Sequence, residues 1–432
     1  MRRAILCLSL LFCSSIAAFG VERFPAPDFT TGHKLPVTSQ PLPRPDIFNS
    51  LDISVLAIAL LLAVYLVIFR RSRRGIVGLT IFSLVYFGFY RQGCVCPIGA
   101  IQNVALAVGG GSRLPMVAGV FFLLPILFAM FAGRVFCAAV CPLGAAQDVV
   151  LRKPVRVPPW LAEPLSLLPW IYLGGAVLYA ATGTTFLICR YDPFVAFFRL
   201  GGSNGMVIFG AVMLILGVFV GRPYCRFLCP YGALLRLVSP LAKWRVTVTP
   251  DKCIQCRLCE DSCPFGEIKF PTPQENAANR YEGKGRLAAL LALLPVMIAI
   301  GTGLGYLGSL QMSRLSPAVQ LAERVWMEEH GKVKGTTLQS QSFTKLGQPN
   351  AMAYRSALDI QKKFRIGSTV FGGWVGLVIG LKLIFLSIKR RRVDYEADTA
   401  GCVGCGRCYW SCPVERARFG DLEAIQLLEE HG

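Results

Sequence analysis

The chain contains two cysteine-rich segments, CIQCRLCEDSCP at residues 253–264 and CVGCGRCYWSCP at residues 402–413. Both follow the spacing C-x2-C-x2-C-x3-C-P, in which the first three thiolates wrap one 4Fe-4S cube and the fourth reaches a neighbouring cube. A zinc site is the alternative, but structural zinc sites usually pair two C-x2-C units across a longer loop and do not need the terminal Cys-Pro. The repeated spacing therefore predicts two 4Fe-4S clusters.

The exchange of the fourth cysteine predicts which thiolates share a cluster. Each segment then supplies half of a bacterial-type two-cluster ferredoxin module, at residues 251–270 and 389–432. We expect one cluster on Cys253, Cys256, Cys259 and Cys412, and the other on Cys402, Cys405, Cys408 and Cys263.

The composition indicates a mainly α-helical, polytopic membrane protein. Of the 432 residues, 54% are hydrophobic and only 16% are charged, which is too apolar for an ordinary soluble protein. The net charge of +20 does not indicate nucleic acid, because basic residues gather beside apolar stretches, as the positive-inside rule expects. About seven spans are predicted, at residues 53–69, 75–90, 115–133, 165–188, 205–221, 287–312 and 366–388.

The basic clusters orient these spans. When residues 70–74 are placed inside, the basic clusters at 152–156 and 389–392 also fall inside. Both ferredoxin halves then lie on the cytoplasmic side of a bacterial inner membrane, where thiols stay reduced. The expected organisation is a signal peptide or signal anchor at 1–20, an exported Pro-rich arm at 21–50, a membrane domain at 51–250, transmembrane helices at 285–312 and 366–388, and an exported docking surface or lid at 313–365.

A second cysteine motif is repeated inside the membrane domain. GRVFCAAVCPLGAAQDVV from Gly133 and GRPYCRFLCPYGALLRLV from Gly221 align without a gap. Cysteines four apart project from one face of a helix, and the following proline breaks or restarts that helix. Helix packing explains a single pair of cysteines, but the duplication favours a shared site. We expect a third iron-sulfur cluster on Cys137, Cys141, Cys225 and Cys229, with Arg134 and Arg222 either offsetting its charge or marking span ends.

A third copy, RQGCVCPIGAIQNVA from Arg91, keeps the C-P-x-G-A core but carries Cys94 and Cys96 in place of the four-residue spacing. The span count puts these thiols outside together with Cys189. A metal or cluster site there competes on equal terms with a disulfide or free thiols, because the exported compartment is oxidising. We assign Cys94, Cys96 and Cys189 as candidate metal ligands.

Together these motifs resemble the NosR/NapH-type membrane polyferredoxins, over roughly residues 51–415. The resemblance implies cytoplasmic 4Fe-4S clusters on the eight ferredoxin cysteines and ligand roles for the four C-x3-C-P cysteines. It also implies electron transfer between the quinol pool, or cytoplasmic donors, and an exported flavoprotein or reductase. NosR-like proteins have a large exported flavin domain before the first span, whereas only about thirty residues stand there in this chain, so a flavin would come from a partner.

Other cofactor chemistries lack their residues. The chain has no C-x-x-C-H motif for c-type haem, and none of its three histidines lies in a predicted span, where a haem b would need two. Walker A, G-x-S-x-G and H-E-x-x-H motifs are also absent. Electron transfer remains, performed either by a quinol dehydrogenase-like enzyme component or by a pure relay. The alternatives are a copper-handling or assembly factor for an exported reductase and a redox sensor acting through residues 313–365.

Overall fold

A computed structural model describes residues 45–93, 96–152, 154–248, 254, 256–272, 278–347, 349–388, 392 and 395–418. The chain divides into two compact units, residues 1–51 and 52–432. Within the first unit the described residues are 45–51, where the first helix begins. The predicted leader at 1–20, most of the Pro-rich arm, Cys94 and Cys253 lie outside the described residues.

The described chain is mainly helical, as predicted, with a single pair of two-residue strands in these ranges. Helices α1 to α7 are Asp46–Val64, Arg73–Ser83, Pro97–Gly110, Met116–Ala132, Pro142–Val150, Pro159–Leu165 and Leu168–Ala181. Helices α8 to α13 are Leu187–Tyr191, Pro193–Arg199, Asn204–Phe219, Pro223–Phe227, Pro230–Val238 and Leu258–Asp261. Helices α14 to α19 are Ala278–Ser313, Pro317–Glu329, Leu338–Lys345, Asn350–Ser387, Arg407–Ser411 and Pro413–Arg418, and the strands are β1, Ile268–Lys269, and β2, Glu396–Ala397. Short π-helical segments lie at Tyr65–Phe69, Leu84–Tyr90 and Phe136–Val140, and a 3-10 turn at Ser239–Leu241.

Four helical segments of the described chain are long and apolar enough to cross a membrane, where seven spans were predicted. A fifth is added if α9 and α10, which are bent by 102° to each other, count as one span. The predicted spans at 75–90 and 115–133 correspond to shorter helices, α2 with its π-helical continuation and α4. Helix α4 stops after 17 residues because the chain turns at Gly133, whose φ of 68° suits glycine, to enter the first C-x3-C motif. The four qualifying segments are Ile47–Phe69, Pro159–Ala181, Lys284–Ser313 and Asn350–Ser387.

The longest helices, α14 and α17, pack backbone against backbone. A Cβ atom built on Gly301 would stand 2.3 Å from the Gly372 carbonyl oxygen, and one on Gly376 would stand 2.3 Å from the Met297 carbonyl oxygen. Small residues allow this close approach of membrane helices. Helices α14 and α17 are antiparallel. The chain therefore leaves the membrane domain along α14 and returns to the same side of it along α17.

Helix α17 begins at Asn350, so residues 350–365, the last part of the segment predicted to be exported, are helical and continuous with the apolar stretch that follows. Its 38 residues span roughly 57 Å, which exceeds the roughly 30 Å hydrocarbon core of a bilayer. The first turns pack against α15, where Val319 and Val325 are buried against Ala353 and Ala357. The buried face of α15 therefore covers the extension of α17.

The helix pair separates the two ferredoxin halves in sequence, and strands β1 and β2 rejoin them in space. Ile268 pairs with Ala397 and Lys269 with Glu396 in an antiparallel register. Helices α13 and α18, each of which follows the second cysteine of its segment, also contact each other. The two segments thus lie together on one side of the helix pair, as the shared-cluster prediction requires.

Candidate iron-sulfur sites

Electrostatic interactions join some of the described ferredoxin thiols across the two segments in two groups. The Cys408 thiol interacts electrostatically with Cys402, Cys405 and Cys263, and the Cys412 thiol interacts with Cys256. In both groups the fourth cysteine of one segment has joined the thiols of the other. These interactions agree with the predicted ligand sets, whereas Cys259 packs in an apolar cluster that Cys263 and Cys408 contact, so the assignment of thiols to clusters stays a prediction.

Burial raises the pKa of the thiols of the second ferredoxin segment, which are Cys402, Cys405, Cys408 and Cys412. Desolvation raises the pKa of Cys402 to about 12, although the backbone N–H of Gly404 favours its thiolate. Only the thiolate is a good metal ligand, so binding of a cluster at this position is coupled to loss of a proton. Within the described ranges, no three histidine, cysteine, aspartate or glutamate side chains are grouped closely enough to hold a single metal ion.

In the C-x3-C-P motifs the two cysteines do not share one helix face, which corrects the prediction. Cys137 lies in a π-helical turn, whereas Cys141 is extended, with φ −76° and ψ 117°, and caps α5. Cys225 lies in α11, and Cys229 is likewise extended and caps α12. The physical reason is the following proline, which excludes the preceding residue from the helical region. The predicted restart of the helix after each proline is observed.

The two copies exchange their arginines. Arg222 of the second copy is 1% exposed and donates to the carbonyl oxygens of Cys137 and Ala138 in the first copy, the latter at 3.3 Å. A Cβ on Gly144 of the first copy would come within 3.2 Å of Arg222 Nη1. Arg134 lies in the corresponding place on the second copy, because a Cβ on Gly232 would come within 3.4 Å of Arg134 Nη2. Each C-P-x-G-A glycine thus leaves room for the arginine of the other copy.

A buried glutamine, which the sequence analysis missed, also joins the two copies. Gln147 donates to Cys225 Sγ at 3.2 Å, and its Oε1 accepts from the backbone N–H of Tyr224 at 3.0 Å. A signal was present in the sequence, because the first and third copies both carry glutamine six residues after the cysteine of C-P-x-G-A.

Asp148 connects the membrane motifs to the ferredoxin module. Its carboxylate pairs with Arg222 at 3.5 Å, Arg73 at 3.2 Å and Arg407 at 3.4 Å. Burial raises the pKa of this carboxyl group, but the three guanidinium groups outweigh that effect and hold the pKa below its usual value. Since Arg407 stands between Cys405 and Cys408, this ion-pair group joins the first C-x3-C-P copy, the second copy and the second ferredoxin half.

The basic segments that were predicted to face inward contact the ferredoxin halves. Arg71 pairs with the buried Glu415 at 2.8 Å and lies over the Tyr409 ring. Arg156 pairs with Glu260 and Asp261 of the first half, at 3.1 and 2.7 Å. The surplus positive charge beside the apolar helices therefore also contacts the acidic groups of the module.

One membrane thiol reaches the ferredoxin thiols. Cys137 packs against a small apolar cluster that contains Phe265, Val403 and Cys405 and that Cys263 also contacts. The residues of both C-x3-C-P motifs and of the ferredoxin module therefore form one continuous region of the molecule.

Of the three candidate metal ligands Cys94, Cys96 and Cys189, the structure describes Cys96 and Cys189. Cys96 packs against the main apolar core that includes Cys141 and Cys229. It interacts electrostatically with Cys189, whose Sγ would stand 3.5 Å from a Cβ placed on Gly99. Two of the three candidate thiols are thus neighbours, and they lie beside the C-x3-C-P site.

Models of known families match three parts of the chain. A 4Fe-4S binding domain matches residues 114–160 and 204–248, the two C-x3-C-P copies with their preceding helices. A second 4Fe-4S binding domain matches residues 245–268, which include the first ferredoxin segment. These matches confirm that the chain carries iron-sulfur binding domains.

Named relatives confirm the resemblance to NosR/NapH-type membrane polyferredoxins. The chain is 30% identical to protein NirI of Paracoccus denitrificans, and the match covers 46% of this chain and 32% of NirI. It is 29% identical to regulatory protein NosR of Pseudomonas aeruginosa, over 51% of this chain and 34% of NosR. It is 27% identical to ferredoxin-type protein NapH of Escherichia coli, over 33% of this chain and 51% of NapH. The chain thus spans about a third to a half of these relatives, and no solved structure matches it.

Proposed function

We propose that this chain relays electrons between the cytoplasmic face of a bacterial inner membrane and an exported redox partner. The observation that carries the proposal is the packing of Cys137 against the apolar cluster that holds Cys405 and contacts Cys263. A cluster held by the C-x3-C-P motifs would therefore adjoin a ferredoxin cluster directly. The iron-sulfur binding domains and the ferredoxin-type name of one relative support electron transfer as the class of function.

The ligand sets proposed for this relay are those predicted from the spacing. The ferredoxin thiols hold two 4Fe-4S clusters, with Cys263 and Cys412 exchanged between the segments, and the four C-x3-C-P thiols hold a third. The clusters supply one-electron chemistry. The protein supplies their insulation from water, through burial of Cys141 and Cys229, and a positive environment from Arg134 and Arg222.

The proposed relay connects the quinol pool or a cytoplasmic donor with an exported flavoprotein or reductase. The basic segments that contact the ferredoxin halves support a cytoplasmic position for them, because such segments favour that side. The helices at 317–345 lie beyond the other end of the α14–α17 pair and offer a polar surface for an exported partner.

The test is a count of iron and acid-labile sulfide in anaerobically purified protein, with electron paramagnetic resonance of the reduced form. Changing Cys137 and Cys225 together to Ser is expected to remove about four irons per chain and one resonance signal, while both ferredoxin signals remain. Cys13→Ser, in the predicted leader, is the matched cysteine control. Unchanged iron content in the double variant would remove the membrane cluster from the proposal.

The relay itself is tested by reducing the protein with a water-soluble quinol or with a low-potential donor and following the clusters optically. In the intact chain all cluster signals are expected to respond to one donor, because the clusters adjoin each other. If the double variant transfers electrons through the remaining clusters as fast as the intact chain, the C-x3-C-P site is not part of the path.

A further inference from the structure

The third C-P-x-G-A copy has a tertiary contact that repeats, atom for atom, one made by the first copy. Gln102 donates to Cys189 Sγ at 3.3 Å, and its Oε1 accepts from the backbone N–H of Ile188 at 2.7 Å. Gln147 makes the same two bonds to Cys225 Sγ and to the N–H of Tyr224. In each case one glutamine holds a thiol together with the peptide N–H of the residue before it. Cys189 therefore corresponds in three dimensions to Cys225.

The chain after these two thiols also corresponds. The sequence from Cys189 is C-R-Y-D-P, and the sequence from Cys225 is C-R-F-L-C-P, in which the proline comes one residue later. Asp192 has φ −76° and ψ 113°, and Cys229 has φ −67° and ψ 112°. Each precedes the proline that starts a new helix, and each side chain accepts a backbone N–H of that helix, from Phe194 for Asp192 and from Gly232 for Cys229. A carboxylate thus occupies the position of the fourth thiol.

We propose that Cys96, Cys189 and Asp192 form a further iron-sulfur cluster site, a degenerate copy of the C-x3-C-P site in which Asp192 replaces Cys229 as ligand. Cys96 takes the place of Cys141, since both are the cysteine of C-P-x-G-A. The site goes beyond the proposed relay, because binding of a cluster there does not require that the relay operates.

The electrostatics of Asp192 support this role. Asp192 is 4% exposed, and no lysine or arginine of the described chain forms an ion pair with it. Two other aspartates with buried carboxylates, Asp52 and Asp148, both pair with arginine, at 2.9 Å to Arg91 in the case of Asp52. A buried carboxylate that no cation compensates is costly even when it accepts the backbone N–H of Phe194, and binding to a metal centre is one way to compensate its charge.

The proposed site is a neighbour of the C-x3-C-P site. The ring of Phe194, two residues after Asp192, packs edge-on against the ring of Tyr224 with centroids 5.4 Å apart. Tyr224 immediately precedes Cys225, and Cys96 contacts the core that contains Cys141 and Cys229. A cluster at Asp192 would therefore be the next neighbour of a cluster at the C-x3-C-P site.

The decisive variant is Asp192→Asn. Asparagine caps a helix about as well as aspartate, so the start of α9 is kept while the carboxylate is lost. We expect Asp192→Asn to alter the resonance signal of one cluster and to lower the iron content by up to about four per chain, as Cys189→Ser does. Asp192→Cys, which restores the fourth thiol, is expected to keep the iron and shift the signal. Asp359→Asn, on the exposed side of α17, is the matched control.

Several results would overturn the site. One is unchanged iron content and unchanged spectra in both Asp192→Asn and Cys189→Ser, with all variants eluting as folded protein. Another is stoichiometric copper that is lost in Asp192→Asn while iron stays constant, which would make the site a copper site.

Loss of iron in Cys189→Ser but not in the Cys137 and Cys225 double variant would support this site while contradicting the proposed relay.

Discussion

The ferredoxin halves and the paired C-x3-C-P motifs hold their thiols in different ways. The described ferredoxin thiols stand on turns and one-turn helices, and Cys256 is exposed. The C-x3-C-P thiols pack in the main apolar core, where the fully buried Arg222 and Gln147 reach them from the opposite copy. Short spacing in the sequence already groups the thiols of the first set, although residues such as Arg73 also contact that module, whereas the two pairs of the second set are brought together by tertiary contacts alone. Substitutions away from the cysteines should therefore affect the membrane site far more than the ferredoxin site.

The largest expected effect is that of Arg222→Met. It removes one partner of the buried Asp148 and both donors to the Cys137 turn. Breaking a buried pair on one side costs about 3–5 kcal/mol of the free energy of unfolding. We expect a lower melting temperature in detergent and loss of the membrane cluster signal. Arg226→Met, four residues along in the same motif, is the control, and equal losses in both variants would contradict a special role for Arg222.

A smaller effect is expected from Gln147→Leu. The second copy carries Leu235 at the aligned position, so leucine suits the repeat, but here it leaves the Tyr224 N–H without its acceptor. An unpaired buried donor costs about 1–3 kcal/mol. Gln147→Glu keeps the acceptor and loses the donor to Cys225 Sγ. A shift of the membrane cluster potential in both variants, with unchanged ferredoxin potentials, is the expected result. A shift of the ferredoxin potentials instead would contradict separate positioning.

The smallest effect is expected from Arg156→Ala, at the ferredoxin module. Its side chain is 53% exposed and pairs with Glu260 and Asp261. Exposed pairs contribute about 0–1 kcal/mol. Iron content and ferredoxin resonance signals should remain those of the unchanged chain, as they should in Lys332→Ala on the far side of the molecule. A marked loss of ferredoxin iron in Arg156→Ala alone would show that this module also depends on tertiary support.

The same contrast explains what the sequence predicted. The helical membrane class followed from composition, whereas the assignment of the ferredoxin cysteines to clusters stays a prediction from their spacing. The number of span-length helices did not follow from composition, because the turn at Gly133 shortens α4 without interrupting its apolar pattern. The shared helix face of the C-x3-C pairs was wrong, since the proline restricts the backbone of Cys141 and Cys229.

The supporting residues of the membrane site were the least predictable part. An arginine beside a cysteine in sequence gives no indication that it contacts the other copy, because that depends on how the two copies are oriented in space. Gln147 could have been identified from the sequence, because an alignment of all three copies places it in one column with Gln102. Repeats in a sequence thus predict which side chains share a role, and the structure is needed to identify their partners.

The arginine exchange has a consequence for how the duplicated segment can evolve. The first copy depends on a cation encoded in the second, because Arg222 donates to the Cys137 turn, whereas Arg134 donates to Cys137 of its own copy and to the ferredoxin module. A substitution at Arg222 therefore alters the surroundings of Cys137, 85 positions earlier in the chain. Duplication, which normally frees one copy to change, has here tied the first copy to the second.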